Sequence, residues 1–274
     1  MVNLVTGHPS VTNSRELREK LPDLYLGRLS GGDSLAEELG TARRIQAGLL
    51  PKEAPDMRTM ISGFTTVPPG KWEAITMISS PFQTGNLGIA VADVAGKGIP
   101  AALTMAGMKG TLGASVKSLF DISQIMKRVN SDLTVGAEVS SLVGLFYGVL
   151  NTRSGMLTFC NAGHNPPLLI SRSGDVEELS EGGLLMGVIK DSDYDFGTRQ
   201  VRSGDVLVLY TDGITETMDE NDSEFGVQGL TGTVLNHRDL NAEQIVERVL
   251  RAVDDHSGGA AQADDRTLVV IRHR

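Results

Sequence analysis

Four acidic residues stand beside short apolar runs that read as buried strands. Asp93 follows Leu87–Val91, Asp212 follows Asp205–Tyr210, and Asp264 with Asp265 immediately precedes Thr267–Ile271. An acid at the end of a covered strand is costly unless it meets a cation or strong donors. Carboxylates on rigid strand ends, with glycine beside them for close approach, suit a hard octahedral ion such as Mg²⁺ or Mn²⁺. One such ion, and better two, lowers the pKa of bound water and prepares it for in-line attack on a phosphoryl group. Taken one at a time, each acid reads as a turn former, and Asp93 as the cap of the turn Gly96-Lys97-Gly98. The same local context repeated along the chain turns the reading toward a metal centre.

The elements that must position these acids follow from periodicity. Leu87–Asp93 is a strand too short and apolar for a soluble helix, joined to an expected strand at Ile75–Ser79 by the turn-rich connector Pro81–Asn86. An earlier strand is expected near Met60–Thr66. Pro100–Ser118 is a small-residue helix, and a second helix follows Asp121 with Ile122, Ile125, Met126, Val129 and Leu133 on one face. From Leu142 the pattern turns to strands: Leu142–Leu150, Met156–Asn161, Pro167–Ser171, one within Gly187–Arg202, and Asp205–Tyr210. Helices over Val227–Leu235 and Ala242–Asp254 precede a last strand, Thr267–Arg272. Strands and helices segregate rather than alternate, so the fold class is α+β: a sandwich of two mainly antiparallel sheets with helices outside.

Composition narrows the function. The chain has 274 residues, a formal charge of −9 and no basic cluster, which speaks against nucleic-acid binding through phosphate neutralisation. The single cysteine, Cys160, rules out an internal disulfide and reads as a small core residue. No apolar stretch approaches ~18 residues and no export signal opens the chain, so no membrane association and a cytoplasmic location are expected. Residues 1–33 read as a flexible leader. Ser34-Leu-Ala-Glu37 has the form of a capping box, and the apolar face that follows makes 34–51 a linker helix ending at Pro51. That helix, Ser34–Leu50, either lies on its own domain or pairs with a second copy in a homodimer. Residues 52–274 form the main domain.

Four segments resemble the bacterial branch of protein phosphatase 2C, which includes the stage II sporulation phosphatase and stress-response sigma-factor regulators. They are Ala92-Asp-Val-Ala-Gly-Lys-Gly-Ile-Pro-Ala-Ala102, Asn161-Ala-Gly-His-Asn-Pro166, Tyr210-Thr-Asp-Gly-Ile-Thr-Glu216 and Asp264-Asp-Arg-Thr-Leu-Val-Val270. Ala42–Pro51 is similar to the linker helix that precedes this domain. The resemblance implies an α-β-β-α sandwich, two Mn²⁺ or Mg²⁺ ions, and a phosphoserine or phosphothreonine substrate on a STAS-domain anti-anti-sigma factor. It implies that Asp93 bridges the metals with help from the Val94 carbonyl, and that Asp212 and Asp264 complete the shell of one ion. Gly213 would let the backbone turn beside Asp212, and Asp265 would stand behind the ligands. The nucleophile would be water, with no side chain assigned as catalyst. His164 reads as a structural hydrogen-bonder to its own turn rather than a general acid.

The chain departs from that pattern at one place. Family members carry Gly-Gly-Asp, an aromatic pair and a second acid before the hairpin; here the stretch is Pro69-Gly-Lys-Trp-Glu-Ala-Ile75. Lys71 falls where the first metal-binding Asp belongs and Ala74 where the second acid belongs, while Asp33 precedes the linker helix and reads as coincidence. A Lys ~4 Å from a divalent ion at an effective dielectric of ~20 is repelled by roughly 8 kcal/mol. Three arrangements answer this: Lys71 turns outward and Glu73 supplies a carboxylate, Lys71 replaces the missing cation, or one ion survives on Asp93, Asp212 and Asp264. Two functions follow: a metal-dependent phosphoprotein phosphatase, or a catalytically silent phosphatase-like module that binds a signalling partner.

Overall fold

The computed structural model describes residues 60–67, 81–82, 85–96, 99–135, 142–260, 262 and 264–273. All of them fall in the unit Arg44–Arg274. The expected leader, the linker helix, the strand Ile75–Ser79, and Lys71, Glu73, Ala74, Lys97 and Gly98 lie outside the described residues.

Strands whose apolar residues run on both faces need cover on both sides, and the described strands receive it. One sheet has the order β1 (Met60–Val67), β11 (Arg266–His273), β10 (Val206–Tyr210), β6 (Leu168–Ile170), β7 (Val176–Glu178). The other runs β2 (Pro81–Phe82), β3 (Asn86–Val94), β4 (Val143–Asn151), β5 (Met156–Ala162), β8 (Gly182–Gly183), with β9 (Gly197–Gln200) also paired to β5. Pairing is antiparallel except for β5 with β8.

Alternation along each strand sorts its side chains into layers. Leu87, Ile89 and Val91 of β3 meet Phe146, Phe159, Leu207, Leu209, Val269 and Ile271 between the sheets. Ala90, Ala92 and Val94 of the same strand face α1 (Ile99–Ser118) and α2 (Ile122–Thr134). Val206, Val208 and Tyr210 of β10 pack with α4 (Gly226–His237) and α5 (Ala242–Ser257). The result is the expected α-β-β-α sandwich, each layer joined by the 3.6 and 2.0 periodicities of its own sequence.

Helix starts obey local chemistry. The Asp121 carboxylate accepts from the amides of Ser123 (2.8 Å) and Gln124 (3.3 Å). Asn241 and Gln244 close a capping box on α5. Two expectations need correction. The connector Pro81–Asn86 contains strand β2, which pairs with β3 because the chain turns back at Gly85. Asp212 does not end a strand: β10 stops at Tyr210, and Asp212 opens the four-residue helix α3 (Asp212–Thr215). The described strand within Gly187–Arg202 is only β9, while β7 and β8 are too short and too polar to announce themselves by alternation.

Candidate active site

Thr211 joins the two strands that carry acids in the first sheet. Its hydroxyl donates to the Asp265 carbonyl (3.0 Å) and accepts from the Thr267 amide (2.9 Å), and its own amide donates to the Thr267 carbonyl (3.1 Å). The exit of β10 and the entry of β11 are thereby locked together at a residue that is itself buried.

Gly213 tightens the contact. A Cβ at this position would collide with the Asp265 carbonyl oxygen and lie 3.3 Å from the carbonyl carbon of Asp264. Only glycine lets the Asp212 turn rest on the backbone that presents Asp264. What Gly213 closely approaches is the Asp264–Asp265 backbone. Asp212 accepts the Gly213 amide (2.8 Å) on one carboxylate oxygen, and Asp264 accepts the Asp265 amide (2.7 Å) in the same way. Each thus fixes its own turn with one oxygen. Both residues are half-buried, and Asp265 is buried behind them.

Asp93 comes from the other sheet. It is the penultimate residue of β3, half-buried, and its register partner is Gly144 of β4, while Val94 pairs with Val143. Gly144 packs directly on the next turn, since a Cβ there would lie 3.1 Å from the Gly163 carbonyl oxygen and 3.3 Å from the Cα of His164. His164 in turn feels the charge of Asp212. Register and close packing thus link Asp93 through Gly144 to His164, and the charge of Asp212 acts on the His164 ring from the side of the other sheet.

His164 behaves as a structural residue in this setting. Its amide donates to the Asn161 side chain (2.8 Å), whose amide group donates to the His164 (3.0 Å) and Leu179 (3.2 Å) carbonyls. The ring Nδ1–H donates to the Asn165 carbonyl (2.9 Å), which fixes the tautomer and leaves Nε2 as an acceptor, buried without a partner among the described residues. Burial holds the imidazole below its ordinary pKa, opposed by the Asn165 hydrogen bond and by the charge of Asp212.

The acids stand at one end of the sandwich without closing into a cage. Among the described residues no group of three or more His, Cys, Asp and Glu side chains is placed to hold a metal ion. In kind, the carboxylate oxygens of Asp93, Asp212 and Asp264 fit a hard divalent cation. In arrangement, the described residues alone do not make a three-carboxylate site. Two residues of the same neighbourhood gave no sequence signal of a role beyond their place in the motifs. Thr211 joins the strands, and Glu216 has its carboxyl pKa raised by partial burial and then by the charges of Asp212 and Glu224. A hydroxyl next to a strand end is common, and only the pairing of β10 with β11 reveals what Thr211 does.

Comparison with known proteins bears on the fold and the family. Phosphoserine phosphatase RsbU of Bacillus subtilis is 28% identical over 244 residues, covering 88% of this chain and 71% of that protein. Protein IcfG of Synechocystis is 23% identical, covering 85% of this chain and 41% of that protein. Among solved structures, the SiaA-PP2C domain of Pseudomonas aeruginosa superposes with a TM-score of 0.76 at 19% identity, over 88% of this chain and 98% of that one. The phosphatase domain of SpoIIE from Bacillus subtilis, solved with a fragment of its regulatory domain, gives a TM-score of 0.65 at 20% identity, over 80% and 64%. These likenesses confirm the fold expected from the four motifs. The family model for stage II sporulation protein E matches residues 83–274, and the chain belongs to that family of protein phosphatase 2C-like domains.

Proposed function

We propose that this protein is a metal-dependent phosphatase acting on a phosphoserine or phosphothreonine of a regulatory protein, with a STAS-domain anti-anti-sigma factor as the substrate class. The observation that carries the reading is the locked approach of Asp212–Gly213 to Asp264–Asp265, which holds two motif acids at one end of the central strand pair. Asp93, the Val94 carbonyl, Asp212 and Asp264 would hold Mn²⁺ or Mg²⁺, with Asp265 supporting the Asp264 turn. Such an ion, when bound, neutralises phosphoryl charge and acidifies water. The protein's own part is to fix the acids at or beside strand ends and to keep His164 neutral near them.

A second reading is a phosphatase-like module that binds its signalling partner without hydrolysis. It is favoured by Lys71 in the stretch Pro69–Ile75, where the resemblance calls for the first acid. Phosphate release from a phosphorylated STAS protein in the presence of Mn²⁺, measured beside an Asp212→Asn variant, separates the two. Release by the parent and at least a hundredfold less by the variant supports the enzyme. Equal release by both, or none by either, defeats it.

A further inference from the structure

At the opposite end of the same strand pair, four segments converge around a cavity of about 330 Å³. They are the turn between β6 and β7, the turn before β10, the link from α4 to α5, and the last residues of β11. The walls are tied by backbone chemistry. The buried Asp205 carboxylate accepts the amides of Arg172 (3.0 Å) and Arg202 (2.8 Å), which locks the first two segments together. Gly204 donates to the His273 carbonyl (2.9 Å), and Arg272 Nη1 donates to the carbonyls of Asp239 (3.3 Å) and Leu240 (3.0 Å). All four segments are thus held in place before any ligand arrives.

The lining is basic on an acidic chain. Arg172, Arg238, Arg272 and His273 face a single lining carboxylate, Asp239, although the net charge of the protein is −9. Among the described residues neither Arg172 nor Arg238 enters an ion pair, and Arg272 Nε is buried without a partner. Guanidinium groups around a concavity match the geometry and charge of phosphate oxygens. The volume lies at the low end of ligand pockets, which run from about 300 Å³ upward, and selects a small ligand. Apart from His273 no aromatic ring lines it, so nothing is set to stack a nucleobase.

We propose that this pocket binds a small phosphate-class dianion, either inorganic phosphate or a small phosphomonoester. It is not the candidate active site. Arg272 pairs with Val206 at the start of β10, whereas Asp212 lies beyond Tyr210 at the other end, which is four steps or about 13 Å further along the strand. The assignment therefore stands or falls independently of the phosphatase reading.

Isothermal titration of the full chain with inorganic phosphate, and separately with glycerol 3-phosphate, tests it at fixed ionic strength in chloride. The expected result is saturable binding that persists within twofold in Asp212→Asn and weakens at least tenfold in Arg172→Ala/Arg238→Ala. The tighter of the two probes names the source of the phosphate group. The double variant should keep its melting midpoint in phosphate-free buffer; if it does not, the exposed single change Arg172→Gln replaces it, with at least threefold weakening expected. Saturable binding of neither anion overturns the proposal. So does unchanged affinity in the arginine variants, or loss of binding in Asp212→Asn alone.

Discussion

Thr211 and Asp265 are joined by a buried hydrogen bond of 3.0 Å, donated by the threonine hydroxyl to the aspartate carbonyl. The same hydroxyl accepts the Thr267 amide, so replacing it removes two buried hydrogen bonds at once. Thr211→Val should lower unfolding free energy by about 2–3 kcal/mol in urea titration, while Thr211→Ser should cost less than about 1 kcal/mol. If the locked turn positions Asp212 for Mn²⁺-dependent release, the valine variant should also lose activity well below its unfolding midpoint.

Asn130 makes a comparable lock elsewhere. Fully buried on α2, it donates to the carbonyls of Ile189 and Lys190 (both 2.8 Å) and accepts the Gly187 amide (2.9 Å). The segment it holds exposes Leu184, Val188 and Ile189. Asn130→Leu removes all three bonds and should destabilise the protein by about 2–3 kcal/mol. Limited proteolysis should then cut first within residues 184–191, and an unchanged cleavage pattern would contradict this role.

His164 gives a pH dependence of defined sign. Its folded-state pKa lies below the ordinary 6.5, chiefly through burial, so the unfolded chain binds the proton more readily. The stability tied to the neutral ring is fully present above about pH 6.5 and is lost as pH falls from there toward the folded value. Urea unfolding at pH 7.5 and 5.5 should show a smaller difference for His164→Gln than for the parent. A difference of the same size in both proteins would show that other groups carry the dependence.

Lys71 is the residue on which the two functional readings turn. Lys71→Asp changes local charge by two units in the direction that favours a divalent ion. If Lys71 stands at the first acid's place, this variant should raise Mn²⁺-dependent phosphate release at least tenfold over the parent. An unchanged rate would place the residue away from the centre.

The layers of this fold were legible because strands covered on both faces are apolar almost throughout, as in Val206–Tyr210, and helices such as α5 carry their apolar residues on one side. The acids of the candidate site stand out in the sequence because each lies close to such a run. Thr211 escaped notice because its function depends on a partner 54 residues later. The arginine pocket escaped for the same reason: Arg172, Arg238 and Arg272 are scattered along the chain and form no basic cluster until the turns converge. Composition showed an acidic surface and could not show that a few cations are gathered on it. The short strands β7 and β8 carry too little pattern to be read without their neighbours.

Asp93 belongs to β3 of one sheet, while Asp212 and Asp264 flank β10 and β11 of the other, so the candidate centre straddles the seam of the sandwich. The spacing of these acids is then a gauge of how the two sheets sit on each other. Phe146, Phe159, Leu209 and Val269 fill the layer between them and act as the shim that sets that gauge. If these acids act together, core packing far from them controls that action, because a sheet that slips by a fraction of an ångström carries its carboxylates with it.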